Sequence, residues 1–268
     1  MIPMLRRIAA AAVAAIAIPA SATTYSTDFT DIWWNPAEDG WGVNLIQQYN
    51  TIFATFFVYG SDGAARWFVA PEATGNGSTF SSTLYQTTGP AFSATWNPSL
   101  KTVTPVGSAT FSFNGSSTGT LSYTVNGVPV TKSIQRQSFR TNVLSGNYLG
   151  GMTAIASSCS NSADNGAALI NGDLTIAQSG NAVSMIVDWY PAGRTTPARC
   201  TYNGTLVGQG RLGTITGTFS CANGATNAGN FTMTEVDASR NGMNATFQGN
   251  DQYCGSYSGK FGGLRDVI

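Results

Sequence analysis

Residues 31–48 read DIWWNPAEDGWGVNLIQQ, and this stretch decides how the first half of the chain folds. It carries three of the six tryptophans, Trp33, Trp34 and Trp41, around one tight acidic turn. A strand-like run enters the turn and a second one leaves it, which is the pattern of a β-hairpin. An aromatic side chain buries roughly 150–250 Å². The stretch therefore predicts a hairpin with an aromatic face, around which the neighbouring strands assemble.

The hairpin begins a series of strand-like runs that continues to residue 139. Turn signals such as Asp-Gly and Asn-Gly separate the runs, and both readily supply the positive φ of tight turns. Residues 51–59, TIFATFFVY, are apolar on both faces, which predicts a central strand covered on both sides. The eight runs are residues 29–35, 41–48, 51–59, 65–74, 79–87, 103–113, 120–126 and 128–139.

The second half of the chain differs in composition but has the same regular spacing of strand-like runs. After residue 142 one tryptophan remains and all four cysteines appear. Eight further runs cover residues 147–155, 168–178, 182–189, 199–207, 213–221, 230–236, 243–248 and 256–264. No segment shows a helical 3.6-residue hydrophobic period with caps.

Regular short strands punctuated by glycine predict an all-β protein. Eight strands are the usual number for closing a small barrel. We therefore expect two successive antiparallel β domains of about eight strands each, barrel-like or sandwich. The Trp-rich domain would span residues 23–142 and the Cys-containing domain residues 143–268, each folding independently. A single long sandwich is the alternative.

The four cysteines predict two disulfide bonds. A Cys₄ zinc site is disfavoured because the chain contains no C-x₂-C spacing. The two cysteines Cys200 and Cys221 lie opposite each other in a hairpin whose register pairs residues with numbers that sum to 421. In this register the apolar residues of the hairpin lie on one face. Cys159 and Cys254 then form the second bond, which seals an up-and-down barrel between its first and last strands.

The N-terminus has the pattern of a signal peptide over residues 1–22. Arg6 and Arg7 precede an apolar run at 8–18, and Ala-Ser-Ala at 20–22 matches a cleavage signal. The apolar run of about 11 residues is well short of the ~20 that span a bilayer. The sequence therefore predicts an exported protein, periplasmic or extracellular, without a membrane span.

Charge and composition narrow the classes of function. Without Arg6 and Arg7 the 13 basic residues fall to 11, against 13 acidic ones, so the net charge is about −2. This slightly negative net charge argues against a nucleic-acid partner. The chain contains no histidine, which excludes Ser-His-Asp and Cys-His catalysis and His-ligated metals. We predict no catalytic residue, no metal and no cofactor.

The hairpin and its surroundings supply the candidate ligand-binding residues. Uncharged amides beside aromatic rings suit a neutral polar ligand such as a glycan, and a carboxylate can orient its hydroxyl groups. Plain aromatic core packing is the competing interpretation of the same residues. The candidates are Trp33, Trp34, Glu38, Trp41, Asn44, Gln47 and Trp67.

Three functions follow in order of preference. The first is a non-catalytic binding module for a neutral glycan-like or amphipathic ligand. The second is a structural or adhesive surface protein, since low charge and Thr/Asn/Gly-rich strands favour packing and assembly. The third is a carboxylate-dependent hydrolase using Glu38 and Asp39, although neighbouring residues on a turn point in different directions, whereas a glycosidase pair faces its substrate from two sides.

Part of the chain resembles a known family. WWNPAEDGWGVN at residues 33–44, followed by Gln47, residues 53–59 and Trp67, is similar to a motif of bacterial exported proteins of unknown function, W-W-N-P-x-E-x-G-W-G-x-N. The similarity runs through Phe139. It implies an exported protein and transfers no activity and no catalytic residues.

Two further similarities are more restricted. Gly150-Gly151, Cys200-x-Tyr202-x-Gly204 and Phe261-Gly262-Gly263-x-Arg265 resemble the tail that often follows this motif. The opening Trp-x-Asn strand also resembles that of avidin-type barrels, over one strand only. No biotin-site residues are implied by it.

Overall fold

The computed structural model describes residues 27–139, 141–191, 195–222 and 226–266. The predicted signal peptide, residues 1–22, lies outside these ranges. Within them, no helix has both the length and the apolar character needed to cross a membrane.

The first eight strands form a closed antiparallel barrel in chain order. Each strand pairs with the next, and β8 closes the barrel by pairing with β1. The strands are Asp31–Trp34 (β1), Gly42–Gln48 (β2), Thr51–Tyr59 (β3), Ala65–Asn76 (β4), Thr79–Thr88 (β5), Thr102–Asn114 (β6), Thr118–Val125 (β7) and Val128–Arg136 (β8). A 3₁₀ turn, Pro98–Leu100, lies in the long connection between β5 and β6.

The next eight strands repeat this architecture. They again pair in order, and β16 closes the second barrel against β9. The strands are Gly146–Cys159 (β9), Gly166–Ser179 (β10), Ala182–Trp189 (β11), Ala198–Gln209 (β12), Leu212–Ala222 (β13), Thr226–Ala238 (β14), Gly242–Asp251 (β15) and Cys254–Arg265 (β16). A second 3₁₀ turn, Ser162–Asp164, connects β9 to β10.

The predicted fold class is confirmed, and both units are barrels, not sandwiches. Every predicted run falls on an observed strand. Several strands extend beyond the predicted ends, as at Gly146–Cys159, because pairing continues past the last apolar residues. The turn between β7 and β8 shows why the pattern was readable: Asn126 and Gly127 have φ of 49° and 81°, the conformation of a two-residue hairpin turn.

Alternation along the strands fills each barrel with one set of side chains. On β3, Ile52, Ala54 and Phe56 are buried in the barrel, whereas Phe53 and Phe57 point outward and are exposed. The prediction that both faces of this strand are covered is wrong. A closed barrel covers only its interior face, and no other described element forms a second layer over the outside of β3.

Trp33 and Arg136 close one end of the first barrel. The Trp33 indole N–H donates to the Phe29 carbonyl at 2.9 Å, and the Arg136 guanidinium lies 5.0 Å from the indole centroid. Arg136 is fully buried, donates to Oδ2 of Asp31 at 3.0 Å, and reaches three backbone carbonyls. A buried cation is tolerated only when it is paired and hydrogen-bonded, and both conditions are met here.

The second barrel has the same arrangement of an arginine over an aromatic ring, with a different aromatic residue. The Tyr148 hydroxyl donates to the Leu144 carbonyl at 2.6 Å. The Arg265 guanidinium, from the last strand, lies 5.0 Å from the Tyr148 centroid and donates to its hydroxyl at 2.7 Å. In both barrels an aromatic residue of the first strand therefore bonds the carbonyl four residues earlier and is covered by an arginine from the last strand.

The disulfides join the predicted cysteines. Cys200 faces Cys221 across β12 and β13, in the register that sums to 421. Cys159 faces Cys254 across β9 and β16 and links the strands that close the barrel.

A hairpin of the second barrel docks on the closed end of the first. The turn between β12 and β13 presents Arg211, whose backbone N–H donates to Oδ2 of Asp31 at 2.9 Å. Its guanidinium pairs with the Asp28 carboxylate and donates to the Thr30 carbonyl at 3.1 Å. Gly210 precedes it with φ of 67°, and a Cβ there would lie 2.2 Å from Asp31 Oδ2. Only glycine fits this approach.

Candidate functional site

The structure distributes the seven predicted site residues over four places. Trp33 is fully buried in the core of the first barrel. Gln47 lies at the closed end, where its Oε1 accepts the Phe29 backbone N–H at 2.9 Å. Trp33 and Gln47 therefore each have a structural role in the first barrel.

Trp41 and Glu38 lie at the opposite, open end of the first barrel. Oε2 of Glu38 accepts hydrogen bonds from Lys132 Nζ at 2.6 Å and from the Trp41 indole N–H at 3.2 Å. The Lys132 ammonium also lies 5.9 Å from the Trp41 ring centroid. The turn itself is held by the Tyr59 hydroxyl, which donates to the Gly40 carbonyl at 2.9 Å.

These contacts keep Glu38 ionised. The hydrogen bond from Lys132 lowers the pKa of this carboxyl group, and the Trp41 indole adds to the effect. A glycosidase general acid requires the opposite shift, a raised pKa that keeps the proton near neutral pH. Glu38 is therefore suited to hydrogen-bonding and not to acid catalysis.

Trp34, Asn44 and Trp67 share the outer surface of strands β1 to β4. Because Trp33 is buried, its neighbour Trp34 faces outward. Ile32 pairs with Asn44, Gly42 with Phe57, and Phe57 with Trp67. The register therefore places Trp34, Gly42, Phe57 and Trp67 in one row across four strands.

The row belongs to a larger exposed surface that we call the aromatic wall: Trp34, Ile46, Phe53, Phe57, Tyr59 and Trp67. Phe57 is 43% exposed, Trp67 52% and Tyr59 59%. Ile46 pairs with Phe53 and extends the wall toward the closed end. Scattered surface hydrophobics need no explanation, but a contiguous patch of aromatic rings marks an interaction site.

Gly42 shapes the middle of the row. A Cβ at this position would lie 3.2 Å from the Trp33 carbonyl and 3.4 Å from the Phe57 ring. The missing side chain leaves room for the Phe57 ring to lie over β2, between Trp34 and Trp67.

The six wall residues carry no charged group. Between β1 and β4 the outward-facing positions include aliphatic, aromatic, hydroxyl and amide side chains at Ile32, Trp34, Asn44, Ile46, Phe53, Thr55, Phe57, Tyr59, Trp67 and Val69, and Glu72 follows Pro71 at the edge of the wall. Two polar atoms beneath it, Trp34 Nε1 and Asn44 Oδ1, are buried, and no described residue forms a hydrogen bond with them. The surface therefore offers ring faces to a ligand, with no cationic group among its six residues.

Sequence reasoning missed Phe53, Phe57, Tyr59 and Ile46. The signal was present in TIFATFFVY, whose two faces are both apolar. The same pattern fits a strand buried on both sides and a strand that exposes a binding surface. Only the closure of the barrel decides between them.

Comparisons with protein-family models, with curated proteins and with solved structures find no match for this chain. In the part of the chain that the structure describes, no group of three or more His, Cys, Asp or Glu residues is arranged to hold a metal ion. The function is therefore inferred from the geometry of the wall itself.

Proposed function

We propose that the protein is a non-catalytic binding module for a neutral glycan chain, which lies across the aromatic wall of the first barrel. The observation that carries this proposal is the cross-strand row of Trp34, Phe57 and Trp67 within a wall whose six residues carry no charged group. Sugar rings have apolar faces that stack on aromatic rings and hydroxyl edges that hydrogen-bond to amides, so one ligand uses both kinds of group.

The size of the row favours a chain over a single sugar. Adjacent strands lie about 4.8 Å apart, so a row from β1 to β4 spans about 14 Å. A barrel wall is convex, so it contacts a ligand from one side without enclosing it. Affinity should therefore rise with the number of sugar units until the row is covered.

Other polymers fit this surface less well. Single-stranded nucleic acids also stack on aromatic rings, but they require a positively charged groove along the phosphates. The outward positions of the wall carry no lysine or arginine. An anionic polysaccharide is disfavoured for the same reason.

The proposed location is the periplasm or the cell exterior. Two disulfide bonds fit an oxidising compartment. The targeting pattern of residues 1–22 supports the same assignment.

A second candidate is adhesion or self-assembly through the same wall. Ile46 and Phe53 favour it, because this end of the wall is apolar and lies beside Pro71 around a shallow depression. Light scattering after size-exclusion chromatography separates the two functions. Adhesion through the wall predicts dimers or larger species that Phe53→Ser converts to monomers, whereas the glycan-binding function predicts a monomer.

The test of the proposed function is a titration of the protein with neutral oligosaccharides of increasing length, followed by tryptophan fluorescence. Binding is expected to strengthen from the disaccharide to longer oligomers and to shift the emission of Trp67. A panel of β- and α-linked neutral glycans that leaves the emission unchanged at millimolar concentration would contradict the proposal.

A further inference from the structure

The second barrel contains a cavity that the proposed function does not use. It opens at the end of the barrel away from the Arg211 hairpin, beside the Cys200–Cys221 disulfide, and its volume is about 260 Å³. Its apolar lining consists mainly of Met152, Ile170, Trp189, Phe219 and Phe247. An engineered apolar cavity of about 150 Å³ holds benzene, so this one has room for a somewhat larger ring compound.

Tyr202 is the most deeply buried polar residue that lines the cavity. It is 1% exposed, and its ring packs against Phe219, Phe247 and Phe261 at centroid distances of 5.2–6.2 Å. Burial raises the pKa of its hydroxyl, which is therefore a neutral donor and acceptor at physiological pH. As a neutral hydroxyl on a residue that lines the cavity, it can donate a hydrogen bond to a ligand.

A network of three polar residues lines the same cavity. Oδ2 of Asp251 accepts hydrogen bonds from the Tyr257 hydroxyl, at 2.7 Å, and from the Asn227 side-chain amide. Its Oδ1 accepts the backbone N–H groups of Tyr253 at 2.8 Å and of Cys254 at 2.7 Å. The carboxylate is therefore satisfied by four donors within the protein.

The Asp251 carboxylate also fixes the orientation of Asn227. A carboxylate accepts and cannot donate, so the Asn227 NH₂ group must face it and the carbonyl Oδ1 must face away. Oδ1 of Asn227 is buried, and no residue in the described part of the chain donates to it. Leaving a buried acceptor unsatisfied costs about 1–3 kcal/mol, which a ligand with a suitable donor would remove.

We propose that the second barrel binds a small neutral aromatic compound of the phenol class. The ring would occupy the space between Trp189, Phe219 and Met152. The hydroxyl group would donate to Oδ1 of Asn227 and accept from the Tyr202 hydroxyl. A charged ligand does not fit, because the Asp251 carboxylate is already satisfied and the remaining lining carries no charge.

The test compares p-cresol with 4-methylanisole on the full exported chain. The second carries a methoxy group in place of the hydroxyl, so it keeps the acceptor oxygen, lacks the donor and is larger by one methyl group. We expect p-cresol to bind about three- to tenfold more tightly, the range of one net hydrogen bond. In ¹H–¹⁵N spectra it should shift the Trp189 indole and Asn227 side-chain signals, whereas those of Trp34 and Trp67 stay in place.

Two variants check the position of the ligand. Tyr202→Phe keeps the ring but removes the donor to the ligand oxygen, which both probes retain, so it should weaken both by a similar factor and leave the preference for p-cresol in place. Ala168→Phe fills the cavity from β10 and should abolish binding of both probes. If either variant fails to fold, the spectra of the unmodified protein decide by themselves. No p-cresol binding at millimolar concentration, equal affinity for both probes, or shifts outside the cavity would overturn the proposal.

Discussion

Arg211 of the second barrel and Asp31 of the first are joined by a hydrogen bond of 2.9 Å from the Arg211 backbone N–H to Oδ2 of Asp31. The same oxygen accepts from the buried guanidinium of Arg136 at 3.0 Å. Asp31 therefore neutralises the buried cation that closes the first barrel and also holds the hairpin that attaches the second. The stability of the first barrel and the docking of the second depend on one carboxylate.

Asp31→Ala should destabilise the protein strongly. The change leaves Arg136 as a buried cation without its counter-charge, and breaking a buried pair in this way costs about 3–5 kcal/mol. Chemical denaturation measures the loss. Asp62→Ala is the matched control, because Asp62 pairs with Arg66 on the surface, where such a pair contributes about 0–1 kcal/mol. Equal losses in the two variants would refute the role of Asp31.

Gly210→Ala should weaken the contact between the barrels. Its φ of 67° is strained for any L-residue, and the new methyl group would collide with Asp31 Oδ2. Gly180→Ala provides the control, since Gly180 has φ of 57° with nothing within 4 Å of its Cβ position. Backbone strain alone costs about 1–2 kcal/mol, so the additional loss in Gly210→Ala measures the collision. Equal unfolding free energies would show that the contact is absent in solution.

The stability of the second barrel should fall in acid through Asp251. Burial raises the pKa of this carboxyl, but hydrogen bonds from Tyr257, Asn227 and two backbone amides outweigh burial and lower it below its ordinary value of 3.8. A depressed pKa contributes stability that is complete above the unfolded-state pKa and is lost as the pH falls through the folded-state value. The unfolding free energy should therefore be flat near neutrality and decline below about pH 4.

Tyr257→Phe tests this assignment. It removes one donor, so the pKa of Asp251 should rise toward its ordinary value and the loss of stability in acid should become smaller. A ¹³C titration of the Asp251 carboxyl group reports the pKa directly. The interpretation fails if Asp251 titrates at or above 3.8 in the unmodified protein.

The two disulfides should differ in their contribution to stability. Cys159 and Cys254 are 95 residues apart, whereas Cys200 and Cys221 are 21 apart. In the chain-entropy description, loops of these lengths correspond to about 4.7 and 3.3 kcal/mol. Paired Cys→Ser substitution at 159 and 254 should therefore lower the unfolding free energy by about 1 kcal/mol more than the same change at 200 and 221. The reverse order would show that the disulfide with the longer loop does not stabilise the protein by restricting the unfolded chain.

Much of the fold was predictable because its pairing is local. Each barrel is a series of hairpins, so alternation and turn residues such as Asn126-Gly127 locate the strands without knowledge of distant contacts. The register of Cys200 and Cys221 follows from the same reasoning, since a hairpin has one register that buries its apolar face.

The candidate sites were harder to predict because they depend on closure and docking. Trp33 and Trp34 are neighbours in sequence, yet one is core and the other is wall, and the sequence pattern alone does not say which face of β1 turns inward. Asn227, Asp251 and Tyr257 meet at the mouth of the second barrel only because three separate strands end there. Arg211 contacts residues of the first barrel that are far away in the sequence, and no local sequence pattern predicts such a contact.

The aromatic wall is tested most directly by affinity electrophoresis in gels that contain neutral polysaccharides, with Phe57→Ala, Trp67→Ala and Trp96→Ala compared. Trp96 is 63% exposed on the β5–β6 connection, outside the wall, so its substitution controls for the loss of an exposed tryptophan. Trp96→Ala should change the unfolding free energy by no more than about 0.5 kcal/mol. Phe57→Ala and Trp67→Ala truncate half-buried rings and should each cost about 1–2 kcal/mol while leaving the protein folded. We predict that a neutral polysaccharide retards the unmodified protein and Trp96→Ala, and that Phe57→Ala and Trp67→Ala lose the retardation. Retardation that survives both wall substitutions, or no retardation by any neutral polysaccharide, would contradict the proposed function.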